Sequence, residues 1–334
     1  MNKALKISLK VLIWVILVVL ILLFLVRIGE RLLFGSFFIN AKAEFGTPGI
    51  SHGFVQQGFD YIQDKKIFLA SGYMKEDELP SRIYAFDGSG VANYTELLNE
   101  KGEAYTGHCG GICSYGKYVY VANGGDDDAG IDVFLLEDIL NNKITKTKML
   151  GSIACSRASF CYIYGGNLYT GNFHMDDSKY LSPKEYIMTT PNKDRNTAIL
   201  KVYPLDEKSP FGVNPNPKEA YSIPSKIQGM CITDDGKMIF STSWGLTKSH
   251  LYIHDIAKAR KSATTTDILG SEIPLYFFDS ASLENDITAP PMAEELVYLN
   301  GRIFIMNESA SAKYIFGKFT SGNHIYSYKY KDVE

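Results

Sequence analysis

Hydrophobic and polar positions follow two regimes along this chain. From Val11 to Val26 the stretch VLIWVILVVLILLFLV is apolar without a break, bounded by Lys10 and Arg27. At about 1.5 Å per residue a helix of this length covers roughly 24 Å, which approaches a hydrocarbon core once the two cations reach the interfaces. After residue 50 the apolar residues come instead in short runs, separated by turns rich in Gly, Asp, Asn and Lys. That is the pattern of strands rather than helices.

The short runs repeat in a fixed order. QGFDYIQDKKIFLASG from Gln57, GGICSYGKYVYVANG from Gly110, ASFCYIYGGNLYTGN from Ala158, QGMCITDDGKMIFSTSWG from Gln228 and EELVYLNGRIFIMNE from Glu294 align with one another. Each gives a small or polar start, an apolar strand, a tight turn and a second strand ending in Ser, Asn, Glu or Gly. The Gly-Gly-Asn, Asp-Asp-Gly and Asn-Gly turns suit the positive φ of a hairpin. Third strands follow at 81–87, 130–136, 198–206, 249–256 and 323–330. An ordered antiparallel unit recurring every 50 to 70 residues or so predicts an all-β fold, a β-propeller. A β-sandwich, the alternative, gives many strands but not the same hairpin in each unit.

Five blades are countable, and the longer intervals leave a sixth open. HMDDSKYLSPKEYIMTTPNKDRNTA, from His174, is polar and carries two prolines, so it reads as a loop insertion. SEIPLYFFDSASLENDITAPP reads as one strand followed by loop. The chain between Phe37 and Phe54 is expected to complete the last sheet beside Ile325 to Tyr330, since ring closure removes two exposed edges.

The resulting organisation is a cytoplasmic tail (1–10), a transmembrane anchor (11–27), a juxtamembrane segment (28–50) and a propeller (51–334). RIGERLLFG occupies the place where a signal peptide would carry its small-x-small cleavage site, and Ala41-Lys42-Ala43 lies too far downstream. An uncleaved single-pass anchor is therefore expected, with a cleaved signal as the alternative. Lys3, Lys6, Lys10 and the amino terminus before the span slightly outweigh Arg27, Arg31 and Lys42 after it, which places the large domain outside the cytoplasm at the cell membrane. A net charge of -3 supplies no pull toward nucleic acid, and none is expected as a partner.

In its Asp235-Gly236-Lys237 hairpin and its Leu251-Tyr252…Asp255 third strand, the region after residue 50 resembles propellers of the sugar-lactonase, strictosidine-synthase and NHL-repeat type. The resemblance is architectural and carries no catalytic signature onto particular residues.

Propeller strands run up and down, so the starts of inner strands and the ends of second strands open on one face, the mouth. Strand starts place Gln57, His108, Arg157, Ser159, Gln228, Glu294 and Glu295 there. Second-strand ends add Asn123, Asp126 to Asp128, Asn172, His174, Asp176, Asp177, Trp244, Asn307 and Glu308, while the hairpin turns belong to the opposite face. Gln57, His108, Arg157, Gln228, Trp244 and Asn307 are the candidate ligand-binding residues. Glu294, Glu295 and Asn172 are the candidate ligands for calcium, which takes oxygen donors. Strand alternation should turn one of the two glutamates inward. His108, Glu294 and Glu295 are the candidate catalytic groups; the bland alternative is that such polar residues cap backbone groups around a wet channel. Among the cysteines, Cys113, Cys161 and Cys231 occupy equivalent inner-strand positions and read as packing, whereas Cys109 and Cys155 are the expected disulfide.

Two functions follow. The first is a membrane-tethered propeller that binds a glycan, peptide or protein at its mouth. The second, motivated by the acidic ring of the mouth and in keeping with the sugar-lactonase resemblance, is a calcium-dependent lactonase- or esterase-like hydrolase using the same mouth.

Overall fold

The computed structural model of the chain describes residues 3–124, 130–155, 157–176, 179–268 and 270–331. Five antiparallel sheets stand around an axis, each with its strands in the order in which the hairpin repeat lays them down. Blade 1 contains Phe54–Ile62, Ile67–Met74, Arg82–Phe86 and Ala92–Leu98. Blade 2 contains Gly111–Tyr115, Tyr118–Ala122, Ile131–Leu135 and Gly151–Ile153. Blade 3 is built from Phe160–Tyr164, Asn167–Gly171, Ala198–Pro204 and Glu219–Ile223, and blade 4 from Ile227–Ile232, Lys237–Thr242, Ser249–Asp255 and Leu283–Ala289. Blade 5 runs from Ala293–Leu299 through Arg302–Asn307 to His324–Lys329, and its fourth strand is Ala41–Gly46 from the other end of the chain.

That last pairing sets Ala41 opposite Tyr328 and Gly46 opposite His324. It is the closure expected from the sequence, and it brings the start of the propeller forward to Ala41. Each inner strand touches the inner strands of both neighbouring blades, so the ring is closed at five. The chain that left a sixth blade open goes elsewhere. Ala263–Ile268 and Ser271–Phe277 form a hairpin whose second strand lies parallel to the outer edge of blade 3. Leu283–Ala289, expected to be loop, is the outer strand of blade 4. Its exposed half, Leu283 to Asp286, alternates poorly between apolar and polar and hides the strand from periodicity. The insertion after His174 is loop, as expected, with one turn of 3-10 helix at Lys184–Tyr186 and a two-residue pair of strands.

Apolar residues of adjacent blades meet face to face, giving one cluster at each junction. Leu69, Ile112 and Val119 fill the space between blades 1 and 2, and Tyr120, Leu168 and Tyr203 that between blades 2 and 3. Near the axis the inner strands pack backbone to backbone. A Cβ on Gly111 would lie 2.6 Å from the Cys161 nitrogen, and one on Gly229 would run into the Glu295 Cα. Glycine at these points lets five strands converge on a narrow axis.

The expected Cys109–Cys155 disulfide is not formed. All five cysteines are buried free thiols. Cys109 packs with Leu69 and Ile112 on one side of blade 2, and Cys155 packs with Val133 and Leu168 on its other side, so a whole sheet separates them. The facing pair is Cys113 and Cys161, with sulfurs 3.5 Å apart on the inner strands of blades 2 and 3.

The N-terminal helix α1 spans Lys3–Leu33, and its stretch Lys6–Leu33 is long and apolar enough to cross a membrane. A second, short helix, α2 (Gly35–Asn40), leads into the closing strand. Phe37 of α2 is buried against Tyr326 and Tyr328 of blade 5.

Candidate functional site

Three inner strands carry a register shift where they open onto the mouth: between Gln56 and Gly58, between Ile227 and Gly229, and between Ala293 and Leu296. A bulge inserts an extra residue, bends the strand and re-aims its side chains. Strict alternation therefore fails at these points, and with it the expectation that one of Glu294 and Glu295 turns away. Both are fully buried, as are Gln56 and Gln57.

The two glutamates do different things. Glu295 Oε2 accepts from the backbone nitrogens of Phe59 at 3.1 Å and Ile112 at 2.8 Å, so one side chain of blade 5 ties the inner strands of blades 1 and 2. Burial holds its carboxyl well above the usual range, and the two amides only partly offset that. Glu294 lies on the mouth side, close to Glu308. Burial raises its pKa strongly and the neighbouring carboxyl raises it further. Glu308 itself is pushed up to about 7 by burial, against the opposing pull of Lys313, Gln57 and Tyr73. Two carboxyls that disfavour each other's charge retain a proton near neutrality.

Around this pair sits a polar shell. The Tyr73 hydroxyl donates to Glu308 Oε1 at 3.4 Å and accepts from Lys313 Nζ at 2.7 Å. The His108 ring stacks on Tyr73 with centroids 5.0 Å apart. His108 is exposed at the surface of the mouth, yet the groups crowded around its ring desolvate an imidazolium, and Lys313 and Lys179 oppose its charge as well. It is held down to about 4 and is neutral at physiological pH. Gln56 Nε2 donates to the Asn307 carbonyl at 2.5 Å, and Gln57 Nε2 to the Gln56 carbonyl at 2.8 Å. Gln56 Oε1, Glu294 Oε1 and Asn307 Oδ1 are buried with no hydrogen-bond partner. Beside the rim, Phe173 stacks on Trp244 at 6.0 Å while Tyr180 meets Trp244 edge-on at 6.1 Å.

Of the residues expected at this mouth, Gln57, His108, Glu294 and Asn307 come together with Glu308, and Trp244 stands at its edge. Arg157 donates to the Leu181 carbonyl at 2.7 Å, and Gln228 Nε2 donates to Ser243 Oγ at 3.2 Å, so both secure loops at the rim. The expected calcium ligands do not form one set. Glu295 is engaged by backbone amides, and Asn172 Oδ1 accepts from the Ile199 nitrogen while its Nδ2 donates to Ser182. His174 and Asp176 face each other at 3.2 Å, but Arg195 grips Asp176 with two hydrogen bonds of 2.9 Å and the Ser182 nitrogen donates to His174 Nδ1, which is an anchor for the insertion. Asp126, Asp127, Asp128 and Asp177 lie outside the described residues. Tyr73, Gln56 and Lys313 were not anticipated. Tyr73 ends the second strand of blade 1 and obeys the same rule that selected Asn307, whereas Lys313 sits in a loop without any pattern.

No protein-family model matches the chain, and no curated protein matches it. Among solved structures it is similar to an oxidoreductase (glucose dehydrogenase) of Thermus thermophilus, at 12% identity over 86% of this chain and 98% of that one, with a TM-score of 0.44. A gluconolactonase of Xanthomonas campestris is matched at 11% identity over 87% and 89% of the two chains, TM-score 0.40. The PQQ-bound aldose sugar dehydrogenase of Streptomyces coelicolor is matched at 14% identity over 80% and 76%, TM-score 0.40. The five-blade ring is defined by the strand pairing above.

Proposed function

We propose that this chain is a single-pass, membrane-anchored propeller, held outside the cytoplasm by an uncleaved α1, that binds a polyhydroxylated ligand, a glycan, at its mouth. The observation that carries this is the group of buried, unpartnered oxygens on Gln56, Glu294 and Asn307 beside the Glu294–Glu308 pair. A buried acceptor without a donor costs about 1–3 kcal/mol, and the hydroxyls of a sugar would supply donors in the required number. Glu308, with its pKa near neutrality, can donate or accept. Phe173, Tyr180 and Trp244 offer the apolar face on which a sugar ring stacks. Titration calorimetry of the full chain against a panel of neutral oligosaccharides should give binding, weakened about threefold to tenfold in Trp244→Ala. No heat from any of them would sink the glycan assignment.

A specific feature keeps the hydrolase as a second reading: the unpartnered atoms are all oxygens, the donors a hard cation takes. Among the described residues no group of three or more His, Cys, Asp and Glu is gathered, so any calcium ion would rest on Glu294 and Glu308 with the amide oxygens of Gln56 and Asn307. When bound, such an ion would polarise a substrate carbonyl. Melting the chelated protein in rising calcium separates the two: a concentration-dependent rise in Tm that Glu294→Gln abolishes favours the hydrolase, and an unmoved Tm favours the metal-free site.

A further inference from the structure

The path by which α1 enters the domain fixes which way the mouth looks. The third strand of blade 5 begins at the mouth with His324 and ends at the opposite face with Lys329. The chain arriving from α1 descends beside that strand in order. Arg27 acts on His324, Arg31 lies 3.8 Å from the centroid of the Phe38 ring beside Tyr326, and Asn40 reaches Tyr328 and Arg302 near the far face. The join is built rather than loose. Glu30 is buried, and its carboxylate accepts from the Ser321 nitrogen at 3.1 and 3.0 Å and from the Ser321 hydroxyl. Phe34 is buried just below. The part of α1 before Arg27 therefore leaves from the mouth side, and the exposed apolar helix from Val11 to Val26 projects away from it.

The mouth loops next to this helix have the composition of a membrane interface. In blades 4 and 5 they expose Trp244, Leu246 and Phe319, the last two at 67% and 46%, with Lys248, Lys313 and Lys318 among them. The only carboxylate in these two loops, Glu308, is buried in the site. Aromatic and aliphatic side chains with lysines, at the level where a span meets water, are the groups that settle in a headgroup layer.

Resting on α1 as a membrane span, we infer that the mouth opens onto the bilayer surface and that its ligand is the hydroxylated headgroup of a lipid in that same membrane. The buried acceptors of the site face the headgroup, and the loops of blades 4 and 5 sit among its neighbours.

The chain has two tryptophans, one in the span and one at the mouth, which makes the test direct. Full-length Trp14→Phe and Trp244→Phe proteins are reconstituted in phosphatidylcholine vesicles bearing a shallow nitroxide quencher. Quenching of both Trp14 and Trp244, the latter by about half as expected for a group a few ångströms into the headgroup region, supports the orientation. Quenching of Trp14 alone overturns it and leaves the anchor standing. Quenching of neither overturns the anchor itself. For the ligand, vesicles containing a monoglycosyl diacylglycerol should raise the Tm of the full chain by a few degrees, and Glu294→Gln should remove the shift. An equal shift from the free sugar at the same concentration overturns the lipid assignment in favour of a soluble glycan.

Discussion

Glu295→Ala is expected to destabilise the domain by about 4 kcal/mol, the largest effect of any single side chain at the axis. The residue is fully buried and its Oε2 is the acceptor for two backbone nitrogens, those of Phe59 and Ile112. Alanine would leave both donors stranded in a place that water enters poorly, at about 1–3 kcal/mol each, and would add a cavity. Both donors belong to inner strands of other blades, so the loss falls on the contacts that close the ring and not on one sheet. Glu295→Gln is the control. It keeps an acceptor oxygen and nearly the same volume, and since burial already disfavours the charge of Glu295, replacing it with a neutral amide removes little. Chemical denaturation of the two variants should show a large drop in midpoint for alanine and a small one for glutamine. Equal, small drops would mean that the carboxyl is not a tie between blades.

This role also explains how much of the protein was legible in the sequence. The hairpins were visible because their turns need particular residues: Gly116, Gly166, Gly236 and Gly301 all adopt positive φ where the sequence put a tight turn. The closure by Ala41–Gly46 was visible because a ring has a single remaining edge to fill. The contents of the mouth were only half visible. Knowing which strand ends share a face selects Gln57, His108, Glu294 and Asn307, but the bulges at Gln56–Gly58 and Ala293–Leu296 shift the alternation on which inward-pointing positions depend. For that reason Glu295, expected to be an alternative to Glu294, is its neighbour with a separate task. The disulfide failed for a related reason: sequence places Cys109 and Cys155 before consecutive inner strands, yet the sheet of blade 2 stands between them. Lys313 was out of reach altogether, because a loop delivers it and loops carry no period.

Between about pH 4.5 and pH 7 Glu308→Gln should gain stability relative to the wild-type domain as pH rises. The folded state holds the Glu308 proton up to about 7, whereas an unfolded glutamate releases it near 4.5. Over that window Glu308 binds its proton more in the native state than in the unfolded state, so through this group each step upward in pH favours unfolding, by about 3 kcal/mol in all before the difference becomes constant. Glu294 is shifted in the same direction by burial and by Glu308, and adds to the trend. Asp60, raised to about 6 by burial, adds a smaller loss of the same sign, whereas His108 and His254, both held down to about 4 by burial, gain stability as pH rises; all three are common to both proteins and cancel in the comparison. Denaturation midpoints at pH 4.5 and pH 8 should therefore converge for the two proteins in acid and separate at pH 8, with the glutamine variant the more stable. If they remain parallel, the Glu308 carboxyl is hydrated and the proton-sharing pair does not exist. A chain that retains two such carboxyls at its mouth carries a standing cost at neutral pH, one that a ligand donating hydrogen bonds to Glu294, Glu308 and the free amide oxygens would relieve on binding. Binding of a hydroxylated ligand should accordingly narrow the pH-dependent gap between the wild type and Glu308→Gln.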